Sequence, residues 1–343
     1  MGFCRVSGDL HLSDLSPGAE VRHQSRSQPF WAGALALALL FSPAAPLVWA
    51  GPPFAEFVDP HPAPGNRFGA TVVALSTGNI VITSPLDDAG GTDAGAVYLF
   101  NGATGALIST LTGSTAGDQI GLGGVTALGN GNFVIRSPEW DNGAAANAGA
   151  VTWGSGATGI SGPVGPANSL VGTTAGDRIG TGAAAGGIVA LTNSNYVVSS
   201  GTWDNGAATD AGAVTWGSGT TGISGAVSAS NSLVGTTSGD QVGFNGVIAL
   251  TNGNYVVRSP NWDGADLGAV TWGHGATGFS GAVSASNSLV GAACPDQRKL
   301  CGEQSVVGQR RSPRCGSCDL GERDNGDQRG RESLEQSRRV NRE

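Results

Sequence analysis

Residues 239–291 read GDQVGFNGVIALTNGNYVVRSPNWDGADLGAVTWGHGATGFSGAVSASNSLVG, and close copies of this stretch recur upstream. A chain made of one repeated unit folds as that unit stacked on itself, so the repeat constrains the architecture more than any single motif. Gly117-Asp118-Gln119-Ile120-Gly121, Gly176-Asp177-Arg178-Ile179-Gly180 and Gly239-Asp240-Gln241-Val242-Gly243 open three copies, and Gly65-Asn66-Arg67-Phe68-Gly69 opens a degenerate first one. The starts lie 52, 59 and 63 residues apart. The length differences fall between apolar runs, at 181–186 and after Trp262, where loops are expected.

Each copy holds four short runs suited to strands. The second is clearest, at 254–257, 195–198, 132–135 and 79–82. The third lies at 268–272, 212–216, 149–153 and 95–99. Both are rich in the β-branched and aromatic residues that fit a pleated, half-buried surface. The outer runs, 247–250 and 288–290 in the last copy, are weaker. Asn-Gly, Asp-Asn-Gly and Ser-Gly clusters separate the runs and tolerate the positive φ of tight turns. The expected fold is all-β: a propeller-like array of four four-stranded repeats, open to truncation, with a β-solenoid as the alternative.

In the first copy, Phe68-Gly69, Gly78-Asn79-Ile80-Val81-Ile82, Ser84-Pro85 and Gly95-Ala96-Val97-Tyr98-Leu99-Phe100 resemble the FG-GAP blade of integrin-type β-propellers. The later copies, with Trp-Asp-Asn-Gly and Gly-Ala-Val-Thr-Trp-Gly, resemble a repeat of large, haemagglutinin-like bacterial surface proteins. The resemblance covers roughly 65–291 and implies an adhesin-like interaction role. FG-GAP blades often carry an Asp-rich calcium loop before the second strand. Here that position reads Ser76-Thr77-Gly78-Asn79 or Thr251-Asn252-Gly253-Asn254, without a carboxylate, so calcium does not carry over.

Charge narrows the partners. Residues 51–293 hold four Arg, no Lys and fourteen Asp plus Glu, which argues against nucleic acid, whose phosphates demand clustered cations. None of the five cysteines falls in the repeats. No disulfide staples them, and strand faces must bury one another.

Residues 1–50 read as an N-terminal extension and secretory signal. The apolar core is 31–40, Arg22 and Arg26 form the positive flank, and Val48-Trp49-Ala50 fits a cleavage site. Ser42, Pro43 and Pro46 break the run, which is too short for a spanning helix; a single-pass anchor is the other reading. Val21 could be the true start through a GTG codon in a bacterial message. The chain is therefore expected to be secreted or cell-surface, with no stable membrane span after cleavage. Residues 51–64 are a Pro-rich lead-in, and 65–293 the repeats.

From 294 to 343 the character changes. This stretch holds 11 of the 18 Lys plus Arg and no aromatic residue, and its sparse apolar content predicts disorder. The genetic code offers a reason. Advanced by one base, with synonymous codons free, Cys294 to Gly302 can be read as ALTNGNYVV, and Gly316 to Arg339 as GAVTWGSGTTGISGAVSLSNSLVG. Leu320 as CTG before a Gly codon yields TGG, the repeat tryptophan. The tail reads as an out-of-frame fifth repeat, after a deletion or sequencing error near Ala293.

Candidate chemistry is thin. Cys315-Gly316-Ser317-Cys318 has redox or half-zinc spacing but no second pair or nearby His, and the shifted frame makes it an accident of translation. Asp87, Asp88 and Asp93 are the only calcium candidates, against an ordinary Asx turn. Asp141, Asp204 and Asp263 each follow a Trp, and Asp118, Asp177 and Asp240 recur in the opening loops; both series read as turn or strand-end caps. Trp140 with Trp153, Trp203 with Trp216 and Trp262 with Trp272 are either sugar-stacking faces or packing between blades. Of each pair the turn residue is expected to be the more exposed, so Trp140, Trp203 and Trp262 are the candidate ligand-binding residues. His61 and His274 lack Ser or Cys partners, and no catalytic set or cofactor is expected. The leading reading is a non-enzymatic interaction protein whose partner is a surface protein or glycan. The alternative is a carbohydrate-binding propeller.

Overall fold

The computed structural model describes residues 56–182 and 187–291. The chain divides into two units, Met1–Gly51 and Pro52–Glu343, and all described residues belong to the second. The readings of 1–50, of the tail and its cysteines, and of most of the 181–186 insertion lie outside the described residues.

The expected runs are strands. The first repeat contributes β1 (Thr71–Ala74), β2 (Asn79–Ser84), β3 (Ala96–Asn101) and β4 (Leu107–Thr112). The second contributes β5 (Gly124–Ala127), β6 (Phe133–Ser137), β7 (Ala150–Gly154), β8 (Gly162–Pro163) and β9 (Ser169–Val171). The third follows with β10 (Ile188–Ala190), β11 (Tyr196–Ser200), β12 (Ala213–Gly217), β13 (Gly225–Ala226) and β14 (Ser232–Val234). The fourth has β15 (Val247–Ala249), β16 (Tyr255–Ser259), β17 (Ala269–Gly273), β18 (Gly281–Ala282) and β19 (Leu289–Val290). Each repeat's four main strands form an antiparallel meander, the strand order of a propeller blade. The first strands neighbour one another in order, β1 with β5, β5 with β10 and β10 with β15. The chain is thus all-β and repeated, and consistent with a propeller-like array.

One element goes beyond the expected four strands. The two-residue strands β8, β13 and β18 leave their own repeats and pair in parallel with the last strand of the preceding sheet. The residue after each then donates backward: Val164 N–H to Thr112 O at 3.0 Å, Val227 to Val171 at 3.1 Å, Val283 to Val234 at 3.0 Å. Pro163 is tolerated because it sits on an edge, where no ladder donor is missed.

Strand alternation buries both faces of the inner sheets. One face of the first sheet (Val81, Val97, Leu99, Leu111) meets Phe133, Ile135 and Ala150 of the second. The other face of the second (Val134, Val151, Leu170) meets Tyr196, Val198 and Ala213 of the third. The third presents Val197, Val214 and Leu233 to Tyr255, Val257 and Ala269 of the fourth. The free face of the first sheet, with Tyr98 and Phe100, is covered by Phe57 and Phe68 before β1.

The opening loop of each later repeat hooks the preceding one. Val242 N–H donates to Ala211 O at 3.0 Å and Gln241 N–H to Asp210 O at 3.1 Å, with equivalent bonds from Ile120 and Ile179. Gly212, at φ +74, lies under this hook, and a Cβ there would fall 2.3 Å from the Val242 nitrogen. Gly206 also has positive φ, at +63, but open space around it. Gly206→Ala should cost about 1 kcal/mol, the conformational penalty alone. Gly212→Ala should cost about 3 kcal/mol, because the clash is with backbone. Thermal midpoints of the two variants test this; equal losses would mean that the close approach contributes nothing.

Candidate functional site

The recurring carboxylates hold the loops. Asp118, Asp177 and Asp240 are fully buried. In Asp240, Oδ2 accepts the N–H groups of Thr236 and Thr237, both at 2.9 Å, and Oδ1 accepts that of Asp263 at 2.9 Å. Asp118 does the same with Ser114, Thr115 and Asp141, and Asp177 with Thr173, Thr174 and Asp204. Burial pushes the Asp177 carboxyl up, while its three backbone donors pull the other way. Asp141 and Asp204 in turn accept from Asn147 and Asp210 N–H at 2.7 and 2.8 Å. These acids are the expected turn caps, joined into a two-step chain.

A second set clamps repeat to repeat. The side-chain amides of Asn130 and Asn132 and the indole Nε1 of Trp153 all donate to Gly219 O, at 2.8, 2.8 and 3.1 Å. Asn193, Asn195 and Trp216 converge in the same way on Gly275 O, at 2.8, 2.9 and 2.9 Å. Thr77 and Asn79 make the first version, on Gly156 O.

The tryptophans are placed the other way round from the expectation. Trp140 and Trp203, expected to be exposed, are 3% and 4% exposed and belong to the cores between sheets. Trp262 is half-buried. The physical reason is that the turn between the second and third strands folds back over the sheet, closed by Gly149 N–H to Trp140 O and Gly212 N–H to Trp203 O. The indole Nε1 atoms of Trp140 and Trp203 have no hydrogen-bond partner among the described residues. The strand residues Trp153 and Trp216 are half-buried instead and line grooves between repeats. The Trp216 groove, about 490 Å³, also takes in Ile223, Asn231, Thr277 and Phe279. Its smaller counterpart, about 230 Å³, has Trp153 with Ile160, Asn168 and Thr221. Trp216 shares its face of the strand with the buried Val214, so alternation along the third strand did not mark these grooves.

The calcium candidates are occupied locally. Asp87 is buried; its Oδ1 accepts Ala89 N–H at 2.9 Å and its Oδ2 the Tyr98 hydroxyl at 2.6 Å. Burial, with Asp87 beside it, raises the Tyr98 hydroxyl above the ordinary tyrosine range. Asp88 accepts Asp93 N–H at 2.8 Å, and Asp93 sits at φ +52. Among the described residues no three ligand-type side chains converge on a point that could hold a metal. His61 contacts Tyr98, through Nδ1 and the hydroxyl at 3.2 Å, and His274 lies exposed beside Trp272. His274 Nδ1 lies 3.1 Å from the Thr277 hydroxyl of its own turn.

Comparison with known families agrees with this geometry. The family described as FG-GAP repeat matches residues 54–100. That span holds β1, β2 and most of β3 with the lead-in that covers them. The first repeat is thus similar to an FG-GAP repeat. A second family, described as a repeat of unknown function (DUF5650), matches 127–181, 190–244 and 249–299. Its matches follow the second, third and fourth sheets, each beginning at or just after the first strand. No curated protein matches the chain. Among the described residues no helix is long and apolar enough to cross a membrane. Across the described repeats the recurring Asp, Asn and Trp side chains bond to backbone groups within and between repeats.

Proposed function

We propose that this chain is a non-enzymatic interaction protein displayed outside the cell, adhesin-like in the broad sense. The observation that supports it most is the use of the repeated polar side chains. The buried Asp series holds the loops, the Asn–Trp clamps hold repeat to repeat, and the acids of the loops between second and third strands are left exposed. The loops between second and third strands carry Asp88, Asp93, Asp210 and Asp263 into solvent, all at the same end of their sheets. An acidic rim of this kind suits a basic partner surface and not a nucleic acid. Beads coated with the purified chain should bind surface proteins more weakly as salt rises. Binding indifferent to salt would remove the acidic rim from the account, and N-terminal sequencing of material recovered outside the cell tests display.

A second reading, carbohydrate binding, is favoured by the grooves at Trp153 and Trp216. Each offers part of an indole face beside hydroxyl and amide side chains, the combination that stacks and orients a sugar ring. This reading moves the candidate residues from the turn tryptophans to the strand tryptophans. Replacing Trp153 and Trp216 together with Ala should abolish any glycan-induced change in tryptophan fluorescence, while Trp262→Ala should leave it intact. No response to a broad glycan panel from the unaltered chain would sink the reading.

A further inference from the structure

The fourth sheet ends the described array with a bare apolar face. Leu289 is 80% exposed, whereas its counterparts Leu170 and Leu233 are 0% and 2% exposed. Val270 is 45% exposed against 0% and 1% for Val151 and Val214, and Trp272 is 51% exposed. Two hollows open on this face, about 600 Å³ beside Leu267, Gly268 and Leu289, and about 500 Å³ beside Val256, Val270 and Trp272. In the third repeat the place corresponding to the first hollow is filled by Gln241 and Val242 of the next repeat. The clamp is also set but unused: Asn252, Asn254 and Trp272 stand where Asn193, Asn195 and Trp216 grip a glycine carbonyl of the following repeat. The opposite end of the array differs, because Phe57 and Phe68 cover the first sheet.

We propose that this face is the seat of a fifth repeat of the same kind, and that codons 294–339, read one base later, encode its second, third and fourth strands. The observation behind the occupant is continuity with three existing interfaces. Tyr255, Val257, Ala269 and Val283 are what the fourth repeat presents to the third. The shifted reading places Tyr, Val, Ala and Val at codons 300, 302, 317 and 331, their counterparts in order. Its Trp-Gly-Ser-Gly ends at codon 323 in the glycine whose carbonyl Asn252, Asn254 and Trp272 would take. The codons between the two stretches supply an independent check. Val307-Gly308-Gln309-Arg310-Arg311-Ser312 can be read one base later as Trp-Asp-Asn-Gly-Ala-Ala, the turn of the second and third repeats. The distance from there to the third strand is that of the third repeat. The shifted reading contains no Gly-Asp-Gln opening loop, which places the deletion between Gly291 and codon 294 and leaves open only the end of the larger hollow beside Gly268.

Two measurements test this. Sequencing the natural gene should find the required bases, among them GTG at codon 307 and CTG at codon 320; an unrelated or stop-ridden shifted frame overturns the proposal. Leu289→Asp should then be compared in the chain as it stands and in a version advanced by one base at codon 294. In the present chain the aspartate sits in water, and the thermal midpoint should stay within a degree or so. In the advanced version it should fall by roughly 10 °C, as expected when a charge is buried in an interface of this size. Equal shifts in the two backgrounds overturn the fifth repeat as occupant. A dimer of the present chain that Leu289→Asp converts to monomer assigns the face to a second copy instead, and also overturns it.

Discussion

Replacing Asp240 with alanine is expected to destabilise the array by about 3 kcal/mol, because three backbone N–H groups lose their charged acceptor at once. The thermal midpoint should fall by roughly 10 °C. Asp240→Asn should be almost as damaging, and this is the sharper test. Both carboxylate oxygens accept from backbone N–H groups, so an amide must turn its own NH2 toward a donor. No rotation of the side chain avoids that clash of donors. If the asparagine variant melts with the unaltered chain, the carboxylate is not the staple described above. Because each repeat touches only its neighbours, the loss should centre on the junction of the third and fourth repeats. Amide hydrogen exchange should quicken around 236–263 before it quickens near the first sheet.

Trp203→Ala should cost about 3–5 kcal/mol, the range for removing a large buried aromatic and leaving a cavity. Trp203→Phe should cost much less. It keeps most of the ring volume and removes an indole nitrogen that is buried without a partner, so no hydrogen bond is lost with it. Trp262→Ala, at the same place in the half-open fourth repeat, should cost less than Trp203→Ala, since its ring is only half-buried. Denaturant melts of the three variants decide the matter. Equal costs for Trp203→Ala and Trp262→Ala would contradict the packing account and return the turn tryptophans to consideration as a displayed series.

Some of this was legible in the residues themselves. Val, Ile, Tyr and Trp runs between Gly- and Asn-rich turns are strands for reasons of local sterics, and four such runs per unit were visible before any packing. The carboxylates of Asp118, Asp177 and Asp240 sit in their own turns, so cap chemistry, which acts over three or four residues, could be read from spacing. The handover strands were not legible. Gly162-Pro163, Gly225-Ala226 and Gly281-Ala282 have no strand propensity, and they pair only because the preceding sheet offers an open edge beside them. The tryptophan assignment failed for the same kind of reason. Whether Trp140 or Trp153 faces water depends on how far the turn folds back and on what the next repeat lays over the strand. Neither is encoded within the few residues around either ring. The repeat, its strands, its acidic balance and its turn caps were therefore determined by the sequence alone. Burial and exposure were decided by tertiary structure, because a sheet face is a core only when a neighbouring sheet covers it. Leu233 and Leu289 occupy the same place in the same motif, yet one is sealed by the fourth sheet and the other lies bare.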